Sequence, residues 1–284
     1  MKQYKVLQWA FSFLNKYQRE EKVAELLWQH VTQQSSTMFY ANMQQDIDEA
    51  TQRRFEELIY EHALHGTPLQ HMIGSAPFYG REFVVNKDVL IPRFETEEVV
   101  FHVIEQIKQQ FHDEKITIAD LGTGSGVIAI TLALELPHID VYATDISEHA
   151  LQVAQKNANE HHVKVQFSHG DFLMPMIKDE INPHVIVSNP PYIAKSERNL
   201  LADTVKDYDP ELALFADNQG LAAYETIVKQ VTKLASREKR LLIFEIGYEQ
   251  GEAVLRIIKH TFPQSDIRIL QDINGKDRIV SAIL

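Results

Sequence analysis

The sequence predicts an α/β fold, a doubly wound and mainly parallel sheet of seven strands, preceded by a small helical bundle and a hairpin linker. Two observations carry this prediction. After residue 115, short apolar segments alternate with helical patterns, which is typical of a parallel sheet covered by helices. Before residue 66, apolar residues recur at three- and four-residue spacing with Gln-rich polar faces between them, which indicates packed helices.

The alternating part predicts each element in turn. The predicted strands are 115–121, 139–145, 163–168, 184–189, 240–246, 266–271 and 278–284. The predicted helices lie near 126–136, 148–160, 219–235 and 248–260. An apolar stripe along 99–111 predicts one further helix, which covers the sheet.

Two domains are expected. The first, 1–85, holds the helical bundle and the linker; the second, 86–284, holds the sheet. Gly-Thr-Pro at 66–68 ends the helical pattern, and the alternating segment 78–85 predicts the hairpin. At the start of the chain, two lysines precede a short apolar run, which predicts an amphipathic helix and not a signal peptide.

Composition narrows the class of protein. The 284 residues contain no cysteine, so no disulfide framework and no thiolate site exists, which fits a reducing cytoplasm. The net charge of −12 opposes tight binding of nucleic acid and favours a protein or a small molecule as partner. No segment resembles the ~20 apolar residues of a membrane span. Among the histidines, only His62 and His65 beside Glu61 approach a ligand cluster, and no metal site is predicted.

A glycine-rich loop, DLGTGSG at 120–126, joins the first strand of the sheet to a helix. Glycines let a ligand approach the main chain, and the new helix presents free N–H groups to a carboxylate or phosphate. The spacing is G-x-G-x-G, with Val127 in the next position, which disfavours the G-x-G-x-x-G pattern of nicotinamide dinucleotide sites. The loop residues predicted to bind a cofactor are Gly122, Thr123, Gly124, Ser125 and Gly126.

Two side chains follow the next two strands. Asp145 ends the strand 139–145, roughly 20 residues beyond the loop, where a carboxylate can bind both hydroxyls of an adenosine ribose. The same position also fits an acid at the start of the next helix, and the neighbouring motifs favour ribose. Phe172, after the strand 163–168, is predicted to lie against adenine, with an aromatic plug in the core as the alternative.

The tetrapeptide NPPY at 189–192 follows the buried strand 184–189. The Asn189 side-chain oxygen and the Pro190 carbonyl are two acceptors that match the two N–H bonds of a planar –NH2 group. The prolines fix φ and remove donors, so the acceptors are held in place before substrate arrives. Tyr192 adds a flat ring for a planar target. The pattern therefore suits a methyl-acceptor nitrogen, and the long loop 193–217 is expected to wall the acceptor site.

Taken together, Ile91-Pro92-Arg93, the loop 120–126, the tetrapeptide 189–192 and Asp209-Pro210 resemble the peptide chain release factor glutamine N5-methyltransferases, the HemK/PrmC family. The resemblance covers nearly the whole chain. It implies a class I, Rossmann-like methyltransferase domain that uses S-adenosylmethionine, behind a helical domain that contacts the protein substrate. The substrate it implies is the glutamine of the Gly-Gly-Gln motif in release factors. Phe94 stands where the family usually has proline.

The resemblance also implies roles for single residues. The loop 122–126 holds the methionine and ribose part of the cofactor, Asp145 binds the ribose hydroxyls, and Phe172 lies against adenine. Asn189 touches both cofactor and acceptor. The residues implied to grip the substrate glutamine are Asn189, Pro190, Pro191 and Tyr192, of which Asn189, Pro190 and Tyr192 are taken as catalytic.

Some alternatives stay open at this point. NPPY is shared with adenine N6 methyltransferases, so a nucleobase amino methyltransferase is one rival, against which the acidic balance counts. A non-catalytic module that binds S-adenosylmethionine is the other. No strong base is evident for the leaving proton. Asp207 and Asp209 are the nearest candidates, and a solvated loop acid is the expected role of either.

Overall fold

The computed structural model describes residues 1–111, 115–237 and 239–284. These residues form two compact units. The first comprises Met1–Gly74 and Ala202–Tyr208; the second comprises Ser75–Leu201 and Asp209–Leu284.

The elements of the described residues follow in chain order. The helices are α1 (Gln3–Lys16), α2 (Lys22–Thr32), α3 (Ser36–Ala41), α4 (Glu49–Tyr60), α5 (Leu69–Ile73), α6 (Phe94–Phe111), α7 (Val127–Glu135), α8 (Glu148–Glu160), α9 (Met174–Lys178), α10 (Asp203–Lys206), α11 (Glu211–Leu214), α12 (Ala222–Val231) and α13 (Gly251–Thr261). The strands are β1 (Ser75–Phe78), β2 (Arg81–Val84), β3 (Thr117–Leu121), β4 (Asp140–Asp145), β5 (Gln166–His169), β6 (Val185–Ser188), β7 (Ile193–Ala194), β8 (Phe215–Ala216), β9 (Leu241–Glu245), β10 (Asp266–Gln271) and β11 (Asp277–Ile283). A π-helical turn spans Glu61–His65 and a 3-10 turn spans Lys195–Leu200.

The first unit is a helical bundle, as the sequence predicts. Trp28 of α2 is fully buried and packs edge to face on Phe55 of α4, with ring centroids 5.0 Å apart. Asp48 is the N-cap of helix α4, and its carboxylate accepts the main-chain N–H of Thr51 across 2.9 Å. The amphipathic helix predicted at the start of the chain is α1, which turns Leu7 into the same core.

A segment from late in the chain, Ala202–Tyr208, belongs to this first unit. Arg19 donates two hydrogen bonds to the carboxylate of Asp203, at 2.9 and 2.6 Å. These bonds lower the pKa of Asp203 to about 2. The Tyr208 hydroxyl donates to the carbonyl of His65 across 2.7 Å. The long loop predicted at 193–217 is therefore a series of short elements, and its middle is anchored on the helical bundle.

The π-helical turn carries the histidines that come nearest to a metal-ligand spacing. Nδ1 of His62 lies 2.7 Å from the carbonyl oxygen of Thr67, so this ring is engaged by the main chain. Among the residues that the structure describes, no group of three or more His, Cys, Asp or Glu side chains is placed to hold a metal ion. In the same residues, no helix has the length and apolar character needed to cross a bilayer.

The second unit is built on a seven-stranded sheet with the order β10-β11-β9-β6-β3-β4-β5. Strand β11 runs antiparallel to both of its neighbours, and the remaining pairs are parallel. The seven strands predicted from the sequence are confirmed, with ends that shift by at most a few residues. The strand order reverses between β3 and β6, which places the crevice of a doubly wound sheet at the carboxyl ends of those two strands.

Helices cover both faces of the sheet because alternate residues of the central strands point to opposite sides. Val185 and Val187 join a core cluster with α6 and α7, whereas Ile186 and Leu242 join a second cluster with α12 and α13. All five residues of β9 are buried, as expected of a strand packed on both faces. The doubly wound architecture is therefore confirmed.

The predicted hairpin is confirmed as the antiparallel pair β1 and β2, and it belongs to the second unit. Its anchor is Asn157 of α8, which is fully buried. The Asn157 oxygen accepts the Val84 N–H at 2.7 Å, while its –NH2 group donates to the carbonyls of Val84 at 3.0 Å and Ser125 at 2.8 Å. One side chain thus joins the hairpin to the glycine loop. The functional boundary near residue 85 stays a prediction.

Candidate active site

A cavity of about 480 Å³ lies at the switch point of the sheet. Its wall combines the loop after β3, the ends of β4 and β5, and the start of the segment after β6. Later residues of the loop 193–217 also line it, including Pro210, Leu212 and Phe215. The sequence-predicted site residues that line this cavity are Gly122, Thr123, Gly124, Ser125, Asp145, Phe172, Asn189 and Pro191.

The main chain of the glycine loop is held by β4. The N–H groups of Gly122 and Thr123 both donate to the carbonyl of Thr144, at 2.9 and 3.0 Å. The N–H of Gly124 donates to Oδ2 of Asp145 at 2.9 Å. These three hydrogen bonds fix the first half of the loop against the end of β4.

Gly126 lies behind this wall and is not among the residues that line the cavity. It is the N-cap of α7, with φ +84°, and a Cβ there would stand 2.9 Å from Cδ1 of Ile130 and 3.1 Å from Cβ of Ala154. The glycine therefore allows α7 and α8 to pack closely. Its predicted contact with a cofactor stays a prediction.

Asp145 is the acid at the start of α8 and also lines the cavity, while its contact with a ribose stays a prediction. Oδ1 accepts the N–H of Ser147, the N-cap of α8, at 2.8 Å, and Oδ2 accepts the N–H of Gly124. Burial raises the pKa of Asp145, and these N–H bonds oppose the rise. The carboxylate lines the cavity, and each oxygen keeps a second lone pair with which to accept a ligand hydroxyl.

Phe172 is held in an unusual backbone conformation beside the cavity. Its φ is +44°, and its carbonyl accepts the Thr144 hydroxyl at 2.8 Å. The buried Gln230 fixes the residues on either side, since it donates to Asp171 at 2.8 Å and accepts the N–H of Leu173 at 2.7 Å. The half-buried ring both lines the cavity and packs on the second core cluster.

The side chain of Asn189 is held in place by hydrogen bonds to residues outside the acceptor motif. Its Nδ2 donates to the Thr96 hydroxyl at 3.3 Å, and that hydroxyl donates to Oε2 of Glu245 at 2.7 Å. Glu245 ends β9 with 1% of its surface exposed, and burial raises its pKa to about 7. Neither Thr96 nor Glu245 is predicted from the sequence. The sequence feature that could have indicated Glu245 is its place as the acidic last residue of the otherwise apolar strand LLIFE.

The other end of the acceptor motif is fixed from behind. Gln250 donates to the carbonyl of Tyr192 at 2.8 Å, and a Cβ on Gly220 would stand 2.0 Å from that same oxygen. The Tyr192 ring packs against the second core cluster, and burial raises the pKa of Tyr192 to about 12. Pro190 is buried, and neither Pro190 nor Tyr192 is among the residues lining the cavity. Their direct contacts with substrate stay predictions.

The expectation of a solvated loop acid is wrong for Asp209. Its side chain is 0% exposed and accepts from Nη2 of Arg93 at 2.8 Å. Its other oxygen accepts the Ile91 N–H at 3.4 Å. Burial raises the pKa of Asp209, and the charge of Arg93 opposes the rise. Two sequence motifs, Ile-Pro-Arg and Asp-Pro, thus meet through this ion pair. Asp207, in contrast, is exposed and belongs to the first unit.

Beneath the loop, Asp120 is a second buried carboxylate. Its Oδ2 accepts the Thr123 hydroxyl at 2.6 Å and the Ala129 N–H at 3.2 Å. Its Oδ1 makes no hydrogen bond within the described part of the chain, and burial raises its pKa to about 7. Asp120 does not line the cavity, whereas the Asp145 carboxylate and the Phe172 ring do, and an acidic acceptor beside an aromatic ring fits a nucleoside cofactor.

The fold and this cavity define a class I methyltransferase. The diagnostic features are the seven-stranded sheet with β11 inserted antiparallel between β9 and β10, and the glycine loop and acid after β3 and β4. The catalytic domain of hMettl16 in complex with a MAT2A 3'UTR hairpin shares this fold. The two have a TM-score of 0.55 at 13% identity, covering 89% of this chain and 86% of that one.

Sequence comparisons identify the family within this class. Residues 5–74 match the PrmC N-terminal domain, and residues 102–210 match the methyltransferase small domain. The release factor glutamine methyltransferase of Bacillus cereus is 42% identical over 282 residues, 99% of each chain. That of Staphylococcus aureus is 44% identical over 262 residues, 92% of each. The chain belongs to the release factor glutamine methyltransferase family.

Proposed function

We propose that this protein transfers the methyl group of S-adenosylmethionine to the N5 side-chain amide nitrogen of the glutamine in the Gly-Gly-Gln motif of peptide chain release factors, in the cytoplasm. The observation that carries the proposal is the position of Asn189. Its side chain lines the same cavity as Asp145 and Phe172. The residue assigned here to the acceptor therefore lines the same cavity as the residues assigned to the cofactor. Membership of the family supports the protein substrate and the cofactor.

The cofactor half of the cavity is assigned to the residues after β3, β4 and β5. When bound, S-adenosylmethionine supplies an electrophilic methyl group. Asp145 accepts hydrogen bonds from the ribose hydroxyls, Phe172 packs on adenine, and the glycine loop 122–126 lies along the ribose and methionine part. Each hydrogen bond from a ribose hydroxyl to the charged Asp145 carboxylate contributes ~1.5–3 kcal/mol to the free energy of binding.

The acceptor half is assigned to residues 189–192. The Asn189 side-chain oxygen accepts one N–H bond of the glutamine amide, and the Pro190 carbonyl, in the peptide that joins it to Pro191, accepts the other. Accepting both bonds draws electron density onto a nitrogen whose lone pair is otherwise delocalised into the amide. Holding the acceptor nitrogen beside the bound cofactor would accelerate the transfer further, since positioned reactants gain ~7–11 kcal/mol over a bimolecular encounter. The leaving proton passes to water.

Asp209 is a poor candidate for taking that proton, because its carboxylate is buried and paired with Arg93. We assign it a structural role in holding the loop that walls the cavity. The helical part, residues 1–85, is assigned to recognition of the release factor, with catalysis in residues 86–284. This division rests on family resemblance alone.

The test uses radiolabelled S-adenosylmethionine and two purified release factors, one native and one with the glutamine of Gly-Gly-Gln replaced by alanine. Label on the native factor alone is the expected result. Label on both factors, or on neither, refutes the proposed substrate. Single-turnover transfer by Asn189→Ala, with cofactor saturating, then tests the acceptor role: a rate near that of the wild type refutes it.

The same assay separates the two rival functions. A nucleobase amino methyltransferase labels adenine-containing DNA or RNA, and its binding weakens steeply as salt rises, because phosphate contacts release counterions. A non-catalytic binding module retains the cofactor without labelling any acceptor. The acidic balance of the chain disfavours the first rival, and the shared cavity of cofactor and acceptor residues disfavours the second.

A further inference from the structure

The side chain of Asn189 is connected to a buried acid by a chain of two hydrogen bonds. Asn189 Nδ2 donates to Thr96 Oγ1 at 3.3 Å, and Thr96 Oγ1 donates to Glu245 Oε2 at 2.7 Å. Thr96 is 3% exposed and is the third residue of α6; Glu245 is 1% exposed and ends β9. Three elements far apart in sequence thus meet behind the acceptor motif.

The direction of these hydrogen bonds is set at the buried end. The Thr96 hydroxyl donates its one proton to Glu245, and the ionised form of that carboxylate can only accept. That hydroxyl then offers only lone pairs to Asn189. The Asn189 amide has one donor end and one acceptor end, so its –NH2 group turns to Thr96 and its oxygen is left for the cavity. If the amide were reversed, two acceptors would face each other at Thr96.

The location of the acid has no packing explanation. The other four residues of β9 are fully buried and apolar. Burying a carboxylate among them costs free energy of folding that an apolar residue would not cost. Charged and titratable groups face Glu245 from several elements: Arg278 from β11, Glu95 and Arg93 at α6, Tyr192 after β6 and Tyr224 from α12. Arg278 keeps a positive charge nearby and donates to the carbonyl of Ile246 at 3.1 Å.

We propose that Glu245 and Thr96 are positioning residues that fix the orientation of the Asn189 amide, so that its oxygen, and not its –NH2 group, meets the nitrogen to be methylated. This inference rests on the proposed function of the site. A planar –NH2 acceptor is recognised only by an acceptor oxygen; the reversed amide would present two donors to two donors. The pair therefore favours an –NH2 group, which donates two hydrogen bonds, over an oxygen that can only accept them.

The test compares variants that change the hydrogen bonds from Asn189 to Thr96 and from Thr96 to Glu245 while leaving the cavity volume nearly intact. Thr96→Val removes the hydroxyl, Thr96→Ser keeps it, and Glu245→Gln replaces the carboxyl group with an amide that cannot ionise. We expect Thr96→Val and Glu245→Gln to lower kcat by roughly ten- to a hundredfold, as for a misplaced charged hydrogen bond. Thr96→Ser recovers most of that loss. KM for the release factor changes less than about threefold, because the docking of the whole protein is unaffected.

A double-mutant cycle distinguishes positioning from general support of the fold. In the Asn189→Ala background there is no amide to orient, so Thr96→Val is expected to lower kcat by less than about twofold. An equal loss in both backgrounds overturns the proposal, as does wild-type kcat in Thr96→Val. Cofactor affinity, measured by calorimetry on each variant, confirms that the protein is folded. Methylation of the native factor by the wild type is established first, so that a failure of the proposed function is recognised separately.

Discussion

Asp209 and Arg93 form an ion pair in which the acid is completely buried and the base is not. The Arg93 side chain is 40% exposed, whereas that of Asp209 is 0% exposed, and Nη2 lies 2.8 Å from Oδ2. Removing one partner of such a pair leaves the buried charge uncompensated. The exposed arginine is therefore needed to keep the segment before α6 together with the loop at Pro210.

We expect Arg93→Met to lower the free energy of unfolding by about 1–3 kcal/mol at pH 7.5. Burial already raises the pKa of Asp209, and loss of Arg93 raises it further, so the folded variant binds a proton as pH falls. The deficit is therefore expected to shrink between pH 7.5 and pH 5. Urea denaturation at both pH values measures it.

Lys115→Met is the matched control, because Lys115 pairs with Asp140 at 3.2 Å on an exposed surface. Its effect is expected to be below about 0.5 kcal/mol. Equal losses in the two variants, or an Arg93→Met deficit that grows in acid, would show that the buried pair is not the cause.

Asp145→Asn is expected to weaken S-adenosylhomocysteine binding by at least about tenfold, because the carboxylate is replaced by a neutral group with a single acceptor oxygen. The sharper measurement uses an analogue that lacks the ribose hydroxyls. The wild type discriminates against this analogue in calorimetry, and Asp145→Asn loses that discrimination. If the variant still distinguishes the two ligands, Asp145 serves only the start of α8.

Gly220→Ala and Gly275→Ala form a matched pair of substitutions at positive φ, +83° and +74°. At Gly275 nothing lies within 4 Å of the new Cβ, so only backbone strain of about 1 kcal/mol is expected. At Gly220 the Cβ would stand 2.0 Å from the Tyr192 carbonyl oxygen, and the loss is expected to exceed about 3 kcal/mol. Thermal denaturation compares them. Similar losses would mean that the acceptor segment moves aside freely.

Asp120→Asn tests the buried acid beneath the glycine loop. Burial raises the pKa of Asp120 in the folded protein to about 7, above its unfolded value, so the wild type loses stability as pH rises from about 4 to about 7. Asparagine does not titrate and can still accept from Thr123 and Ala129. We expect the stability of the variant relative to the wild type to improve by about 1–4 kcal/mol between pH 4 and pH 8.

Urea denaturation across that pH range makes the measurement. Asp179→Asn, the same change on the surface, controls for net charge. A constant difference between Asp120→Asn and the wild type at all pH values would mean that Asp120 does not change its protonation state on folding.

Much of the second unit is predictable from the sequence because buried parallel strands are nearly continuous apolar runs. Strands β6 and β9 are examples, with every residue buried. The loop after β3, Asp145 and Asn189 are predictable as one site because the carboxyl ends of such strands converge. Short elements give no comparable signal: α9, five residues with a proline at its start, was not predicted.

The residues that hold the site in shape are not predictable from the sequence in this way. Thr96 meets Glu245 across a separation of 149 residues, and Asn157 meets Val84 across 73. No local pattern marks either pair. The same reason applies to Asp209: the local sequence Asp-Tyr-Asp-Pro predicts a polar turn, whereas the partner that buries Asp209, Arg93, lies 116 residues earlier. Sequence periodicity predicts the helices and strands. It does not predict which side chains form hydrogen bonds between elements that are far apart in sequence.

The assignment of Ala202–Tyr208 to the helical unit means that the main chain passes from one unit to the other three times, after Gly74, Leu201 and Tyr208. No single cut yields two fragments that each contain a whole unit. A fragment that begins at Ser75 would carry Asp203 without Arg19. Exchange of the helical part between relatives therefore has to replace two separate stretches of the gene together.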